Sequence, residues 1–481
     1  MNYKMIRYIL GWLLRIEGLL LMLPCIISVV FQEKQGITYL IFALIAMGAG
    51  TLISRRRPHN SEIYQRDGLV TVGLAWIIMS LYGALPFVVT GEIPFYVDAV
   101  FEIISGFTTT GSSILNDVEA LSHTSLIWRS FSHWTGGMGV LVFILMLIPV
   151  RQGAGTHMNL MRAESPGPEV SKFVPRVRNT AILLYKIYIV LTLIEIALLL
   201  VTGMPWFDTL CLSFGTAGTG GFAVLNTSVG SYTAVHQWII TVFMAMFGIN
   251  FTFYYLILCR KGREAIRMQE VIAYFVIMLI AAVTITINIS SMYPTFGESV
   301  RHAFFQVSSI MTTTGFGTTD TNVWPALSKF ILGSLMIIGA CAGSTGGGMK
   351  VSRVLIIFKA FKEELHRLVH PRSVRKVRMD GRVLSSNTLR AVYIFVIAYF
   401  LLFLVSTLLI SIDNFTFETN FSAVAATLNN IGPGFGMVGA TANFSLFSPF
   451  SKIILCIDML AGRLELFPIL ILFFPGTWKK N

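Results

Sequence analysis

Four glycine-centred segments hold the residues whose types and spacing suggest chemistry. They read Thr108-Thr-Thr-Gly-Ser-Ser113, Ala217-Gly-Thr-Gly-Gly-Phe222, Thr312-Thr-Thr-Gly-Phe-Gly317 and Asn429-Asn-Ile-Gly-Pro-Gly434. Each falls between two long apolar runs. Four such segments can close around one axis and turn their backbone carbonyls toward it. A ring of carbonyl oxygens replaces the water shell of a bare monovalent cation, which is the chemistry of a selectivity filter. Glycine suits the task because it accepts positive φ, so successive carbonyls can point inward.

The elements that must hold these segments are apolar. The chain has 481 residues, 54% hydrophobic and only 12% charged. A soluble globular chain carries about twice that charged share. Spanning helices are predicted at 8–31, 37–54, 69–90, 125–150, 180–202, 235–259, 270–290, 326–358, 388–411 and 447–475, by the run length a bilayer requires. The first is read as a retained helix, since no convincing small-residue cleavage site follows it. Five cysteines at scattered positions show neither metal-ligand spacing nor a disulfide framework.

Lys and Arg fix the orientation. Arg55, Arg56, Arg57 and Arg66 cluster in one connection, and residues 91–127 have no Lys or Arg. Arg151, Arg162, Lys172, Arg176 and Arg178 occupy the next connection, and 203–238 again has none. Arg260, Lys261, Arg263 and Arg267 follow, then 291–324 with Arg301 alone. The stretch 350–390 is the most basic, 412–451 has neither, and the tail ends Lys479-Lys480. This alternation predicts both termini on the cytoplasmic side. It also accounts for the net charge of +12 without a nucleic acid partner.

All four glycine segments lie in the external half of that map. Each follows a short apolar run: Val97–Phe107, Trp206–Phe214, Val300–Met311 and Phe417–Leu428. Such runs are too short to span and suit re-entrant half-helices. A half-helix entering from outside directs its partly negative C-terminal end toward the membrane centre, which favours a cation there. The predicted repeat is helix, half-helix, glycine segment, helix, four times over, with two further helices ahead of it. For one such glycine-rich break alone, close helix packing is the better reading. The matched topology of all four favours the filter.

These segments, with His133-Trp-Thr-Gly-Gly-Met-Gly139 and Cys341-Ala-Gly-Ser-Thr-Gly-Gly-Gly348, resemble the Trk/Ktr/HKT superfamily of potassium transporters over nearly the whole chain. The resemblance extends to the two additional N-terminal helices and to Gly462-Arg-Leu-Glu465. It implies an all-α membrane protein with four covalently linked helix–pore helix–filter–helix repeats in pseudo-fourfold array. The expected divisions are 1–66 for the N-terminal helices, then repeats at 67–178, 179–268, 269–385 and 386–481. One filter glycine is expected from each repeat: Gly111, Gly220, Gly315 and Gly432. The residues before them, Thr109, Thr110, Gly218, Thr219, Thr313, Thr314, Asn430 and Ile431, would add carbonyls for K+. Segments two and four depart from Thr-Thr-Thr-Gly, so strict fourfold equivalence is not expected. The resemblance further implies a homodimer in the bacterial inner membrane and a cytosolic ring of TrkA-like nucleotide-binding subunits that controls opening.

Two motifs are decoys. Gly434-Phe-Gly-Met-Val-Gly439 has dinucleotide-fingerprint spacing but follows no βαβ pattern. Gly343-Ser-Thr-Gly-Gly-Gly-Met-Lys350 suggests a phosphate loop, yet methionine stands where its lysine belongs. The second is better read as a break in a spanning helix, tolerated where it lines a cavity or is buried in protein. A loop of Gly343, Ser344, Thr345, Gly346, Gly347 and Gly348, with Lys350, is a candidate gate, and in the superfamily the matching stretch obstructs the pore from the cytoplasmic side. A simple kink is the alternative. Arg463 in the last apolar run is a second gating candidate, since an intramembrane charge is costly; a structural pair with Glu465 or Asp458 is the competing reading. Potassium conduction leads over coupled transport with protons or sodium, because no carboxylate cluster accompanies the glycines. No segment is large enough for an enzyme domain.

Overall fold

The computed structural model describes residues 1–56, 58–59, 63–137, 139, 177–373 and 375–479. The second half of the expected span 125–150, and Arg57, Arg151, Arg162, Lys172, Arg176 and Lys480, lie outside those residues.

The fold is four three-helix repeats behind two N-terminal helices. The N-terminal pair, Tyr3–Phe31 with a slight break at Leu21 and Gln35–Ile53, packs through Gly11, Gly18 and Gly50. A Cβ on any of the three would come within 3.0 Å of the opposite helix. Small residues allow this approach where apolar burial alone gives helices no drive to associate.

Each repeat then runs long helix, short helix, second helix. The long helices are Gln65–Gly83 with Leu85–Val89, Val177–Val201, Gln269–Ile289 and Ser386–Ile410. The short ones are Tyr96–Phe107, Trp206–Gly218, Phe296–Met311 and Phe417–Leu428. An acid stands in the first turn of every short helix: Asp98, Asp208, Glu298 and Glu418. There it complements the positive end of the helix dipole. A two-stranded hairpin, Arg378–Met379 with Arg382–Val383, sits in the basic stretch.

The second helices at 235–259 and 447–475 differ from the single spans expected there, and the one at 326–358 has the break expected from its small residues. Each is broken. Ala234–Phe247 and Phe251–Leu258 meet at 87°. Ala326–Ile338 and Val351–Val369 are separated by 339–350, and Pro449–Arg463 and Phe467–Phe473 by 464–466. Hydropathy averages over three irregular residues, so the pattern hid two of the breaks. Among the described residues six helices, or seven with the bent pair, are long and apolar enough to span; the expected span 125–150 lies partly outside those residues.

The segment between the N-terminal helices caps the second helix of the first repeat, His123–Gly137. Glu33 accepts the N–H groups of His123 (2.8 Å) and Thr124 (2.9 Å) and the Thr124 hydroxyl (2.6 Å). Phe31 stacks on His123 at 3.7 Å. Burial pushes the Glu33 carboxyl up, but hydrogen bonds from Thr124 and His123 outweigh it and hold the group below its ordinary value. A depressed carboxylate adds stability above its unfolded value and loses it as pH falls through the folded one. Glu33→Gln should therefore lower the apparent Tm at neutral pH by the equivalent of about 1 kcal/mol. The gap from wild type should close in acid. Thermal unfolding of both proteins across pH checks this.

Candidate functional site

The four short helices end in one repeated cap. Thr109, Thr219, Thr313 and Asn430 are left-handed, with φ of 54°, 53°, 59° and 55°. Their N–H groups donate three residues back, to Gly106, Thr216, Ile310 and Thr427. The next residues, Thr110, Gly220, Thr314 and Ile431, donate five back at 2.8 Å in every case. This is the Schellman arrangement. Three of the left-handed positions hold β-branched threonine, an outlier that persists only where surroundings enforce it.

A positive-φ glycine follows two residues later: Gly111 (84°), Gly221 (75°), Gly315 (85°) and Gly432 (100°). These glycines close a ring. A Cβ added to Gly111 would fall under 3.0 Å from the Gly220 carbonyl oxygen, one on Gly221 from that of Thr314, one on Gly315 from that of Ile431, and one on Gly432 from that of Thr110. Each segment thus presses its glycine onto the carbonyl of the next, and the fourth returns to the first. The Ser112 hydroxyl also donates to the Gly432 carbonyl (3.0 Å). A cavity of about 160 Å³ opens on one side of the ring, lined by all four of these glycines.

The glycine level with Gly111, Gly315 and Gly432 is therefore Gly221, not Gly220. Segment two offers two adjacent glycines, and sequence spacing alone did not choose between them; the cap hydrogen bonds do. Gly220 is glycine for another reason. A Cβ there would strike the His133 ring. That ring lies between repeats, with Nδ1 2.8 Å from the Gly106 carbonyl and Nε2 accepting the Phe222 N–H at 3.2 Å. The two bonds select the Nδ1–H tautomer. In segments one and three, hydroxyls pair beside the cap instead, Thr108 with Thr110 and Thr312 with Thr314, each at 2.7 Å. In segment four Asn430 donates to the Thr110 hydroxyl and the Met459 carbonyl, both at 2.9 Å.

On the side of the ring away from the cavity lies the stretch 339–350. A Cβ on Gly346 would fall under 3.0 Å from the Thr312 carbonyl, and one on Gly347 would do the same at Asn429. Gly347 N–H donates to the Thr313 hydroxyl (2.6 Å). The loop is held from several sides. Arg463 donates to the carbonyls of Thr345 (2.6 Å), Gly137 (2.7 Å) and Gly136. Lys350, itself left-handed, donates to the Gly346 carbonyl. Phe251, at the break of the second repeat, donates its N–H to Gly343 (3.0 Å). Irregular backbone at this depth has its polar groups satisfied by protein.

Residues 33–479 match the family described as TrkH, cation transport protein. The chain belongs to that family. It is 35% identical to the Trk system potassium uptake protein TrkH of Salmonella typhimurium and 36% identical to that of Halomonas elongata, each covering 100% of both chains. Its structure superposes on the crystal structure of the potassium transporter TrkH from Vibrio parahaemolyticus with a TM-score of 0.89 at 31% identity, covering 100% of both chains. The TrkH-family fold is the repeated multi-pass helical one described above.

In this TrkH-family chain the closed cycle of contacts runs through Thr110, Gly111, Gly220, Thr314, Gly315, Ile431 and Gly432 and adds Gly221, with Thr109, Thr219, Thr313 and Asn430 as the caps beside it and Gly218 packed on His133. The structure places Gly343 to Gly348, Lys350 and Arg463 together on the far side. It does not pair Arg463 with Glu465, because Glu465 bonds Arg353, nor with Asp458, which accepts from Ser406 (2.6 Å). Arg463 instead satisfies loop carbonyls. Sequence reasoning missed the fully buried pair Arg129–Glu102 (2.7 Å). Glu102 also accepts the Ile114 N–H (2.9 Å), and the guanidinium lies 4.1 Å over Phe222. Opposite charges in two adjoining apolar segments were the available signal. Glu270 was also missed, since a single acid in a first helical turn resembles an ordinary cap.

Proposed function

We propose that this chain takes up potassium across the bacterial inner membrane, conducting K+ through the ring of carbonyls around Gly111, Gly221, Gly315 and Gly432. The observation that carries this reading is the closed cycle in which each glycine packs on the next segment's carbonyl. A ring with one contribution from each repeat and no side chain between carbonyls suits a dehydrated monovalent cation. The potassium uptake role named for its relatives supports the choice of ion.

In this proposal the loop Gly343–Gly348 is the gate, held shut by Lys350 and Arg463 on the cytoplasmic side. Both termini lie in the cytoplasm, the protein works as a homodimer, and a TrkA-like nucleotide-binding ring acts on it from the cytosol. Current recording from purified protein in bilayers, with reversal potentials in mixed K+ and Na+, tests the reading. A current without a proton or sodium gradient, reversing near the K+ potential, is expected. Flux that requires a proton or sodium gradient would assign coupled transport instead.

A further inference from the structure

The loop that adjoins the ring has an anchor on a helix outside it. Glu270, in the first turn of the long helix Gln269–Ile289, is 5% exposed. Its Oε1 accepts the Ala342 N–H at 2.6 Å and the Ser352 N–H at 3.1 Å. Ala342 is where the loop begins, and Ser352 lies in the first turn of the helix that leaves it. One carboxylate oxygen therefore ties both ends of the loop to a third element. The other oxygen faces the Asn250 amide at 3.5 Å, at the break of the second repeat. Such charge-assisted bonds to backbone N–H are stronger than neutral ones, and the anion sits against a helix N-terminus that favours it.

The anchor continues to the cytosolic surface. Gln269, its neighbour, donates its N–H to Asp380 at 2.8 Å, in the turn of the hairpin 378–383. Lys359, on the helix leaving the loop, bonds the Gln269 side chain and the Arg378 carbonyl. Loop, anchor and hairpin thus form one hydrogen-bonded chain from the ring to the cytosol.

We infer that Glu270 is the latch of the loop: a positioning residue whose carboxylate fixes both loop ends and so sets how often the loop clears the ion path. The inference rests on the reading of that loop as the gate. With the latch intact the loop is short-tethered at 342 and 352; without it, both ends lose those two hydrogen bonds to the third repeat's long helix.

The test uses the full chain in liposomes and measures basal K+ flux and the K+/Na+ permeability ratio for Glu270→Ala, Glu270→Gln, a variant shortened within 343–348, and the combination. Glu270→Ala is expected to raise basal flux about tenfold or more, with the ratio unchanged because the ring lies beyond the loop. Glu270→Gln keeps an oxygen for both N–H groups and loses only the charge, so a smaller rise is expected; it also decides the matter if the alanine variant does not fold. In the shortened background, removing Glu270 should add nothing, since residues acting through one element are not additive. Wild-type flux in the folded Glu270 variants beside raised flux in the shortened one overturns the latch and leaves the gate. Wild-type flux in the shortened variant overturns the gate, and the latch with it. An increase from Glu270→Ala that persists undiminished in the shortened background places its action elsewhere and overturns the latch alone.

Discussion

Gly315→Ser is expected to cut K+ flux more than tenfold and to bring the K+/Na+ permeability ratio close to unity. A Cβ at that position would fall under 3.0 Å from the Ile431 carbonyl oxygen, and Gly315 has a φ of 85°. The substitution therefore imposes two costs. An L-residue at such a φ is strained by roughly 1–2 kcal/mol. The carbonyl it strikes is one of the four that would coordinate the ion, so relief of the clash displaces a ligand. A shift of about 1.4 kcal/mol in the balance between K+ and Na+ is already tenfold. Gly333→Ala is the control, because its Cβ would meet only Phe435, at 3.7 Å. Folded Gly315→Ser protein with the wild-type ratio would remove Gly315 from the filter. Gly221→Ser should behave as Gly315→Ser does, since the two share φ sign and carbonyl contact.

Much of this arrangement was legible in the residues. The fourth short helix was read as Phe417–Leu428 and is found there. The first begins one residue earlier, at Tyr96, the second runs on through small residues to Gly218, and the third begins at Phe296, where the Thr295 side chain caps it ahead of its apolar run. The ring was legible because glycine at a fixed distance after a short apolar run is a backbone requirement written directly in residue type. Its register in segment two was not, because Gly218, Gly220 and Gly221 are chemically alike and only the hydrogen bonds from Gly220 to Gly215 and from Thr219 to Thr216 distinguish them. Likewise the break at 339–350 was plain in seven small residues, whereas those at 248–250 and 464–466 are short. Their φ values at Glu465 and Leu466, 53° and 70°, belong to residues that carry no turn signature. Partners far apart along the chain, such as Glu270 with Ala342, leave no local pattern at all.

Arg463→Ala is expected to raise basal K+ flux about tenfold. The guanidinium is always charged and stands on the loop side of the ring, donating to Thr345, Gly136 and Gly137. Under the proposed gating it acts in two ways that point in the same direction. It bridges the loop to the end of the first repeat's second helix, and hydrogen bonds from a charged donor are each worth roughly 1.5–3 kcal/mol. It also repels a cation: at ~6 Å and an effective dielectric near ~20 the repulsion is roughly 3 kcal/mol, before water reduces it. Even half of that is about tenfold in rate where this barrier limits conduction. Arg463→Lys keeps the charge but cannot reach three carbonyls with one planar fork, so it should raise flux less. The size of the lysine effect divides the two contributions: a large rise points to the bridge, a small one to the charge. Removing Glu465 as well should not restore the wild-type rate, because Glu465 is the partner of Arg353. Expression level and liposome flux for the three variants decide the matter. Well-folded Arg463→Ala protein with wild-type flux would show that neither the bridge nor the charge limits the passage of K+.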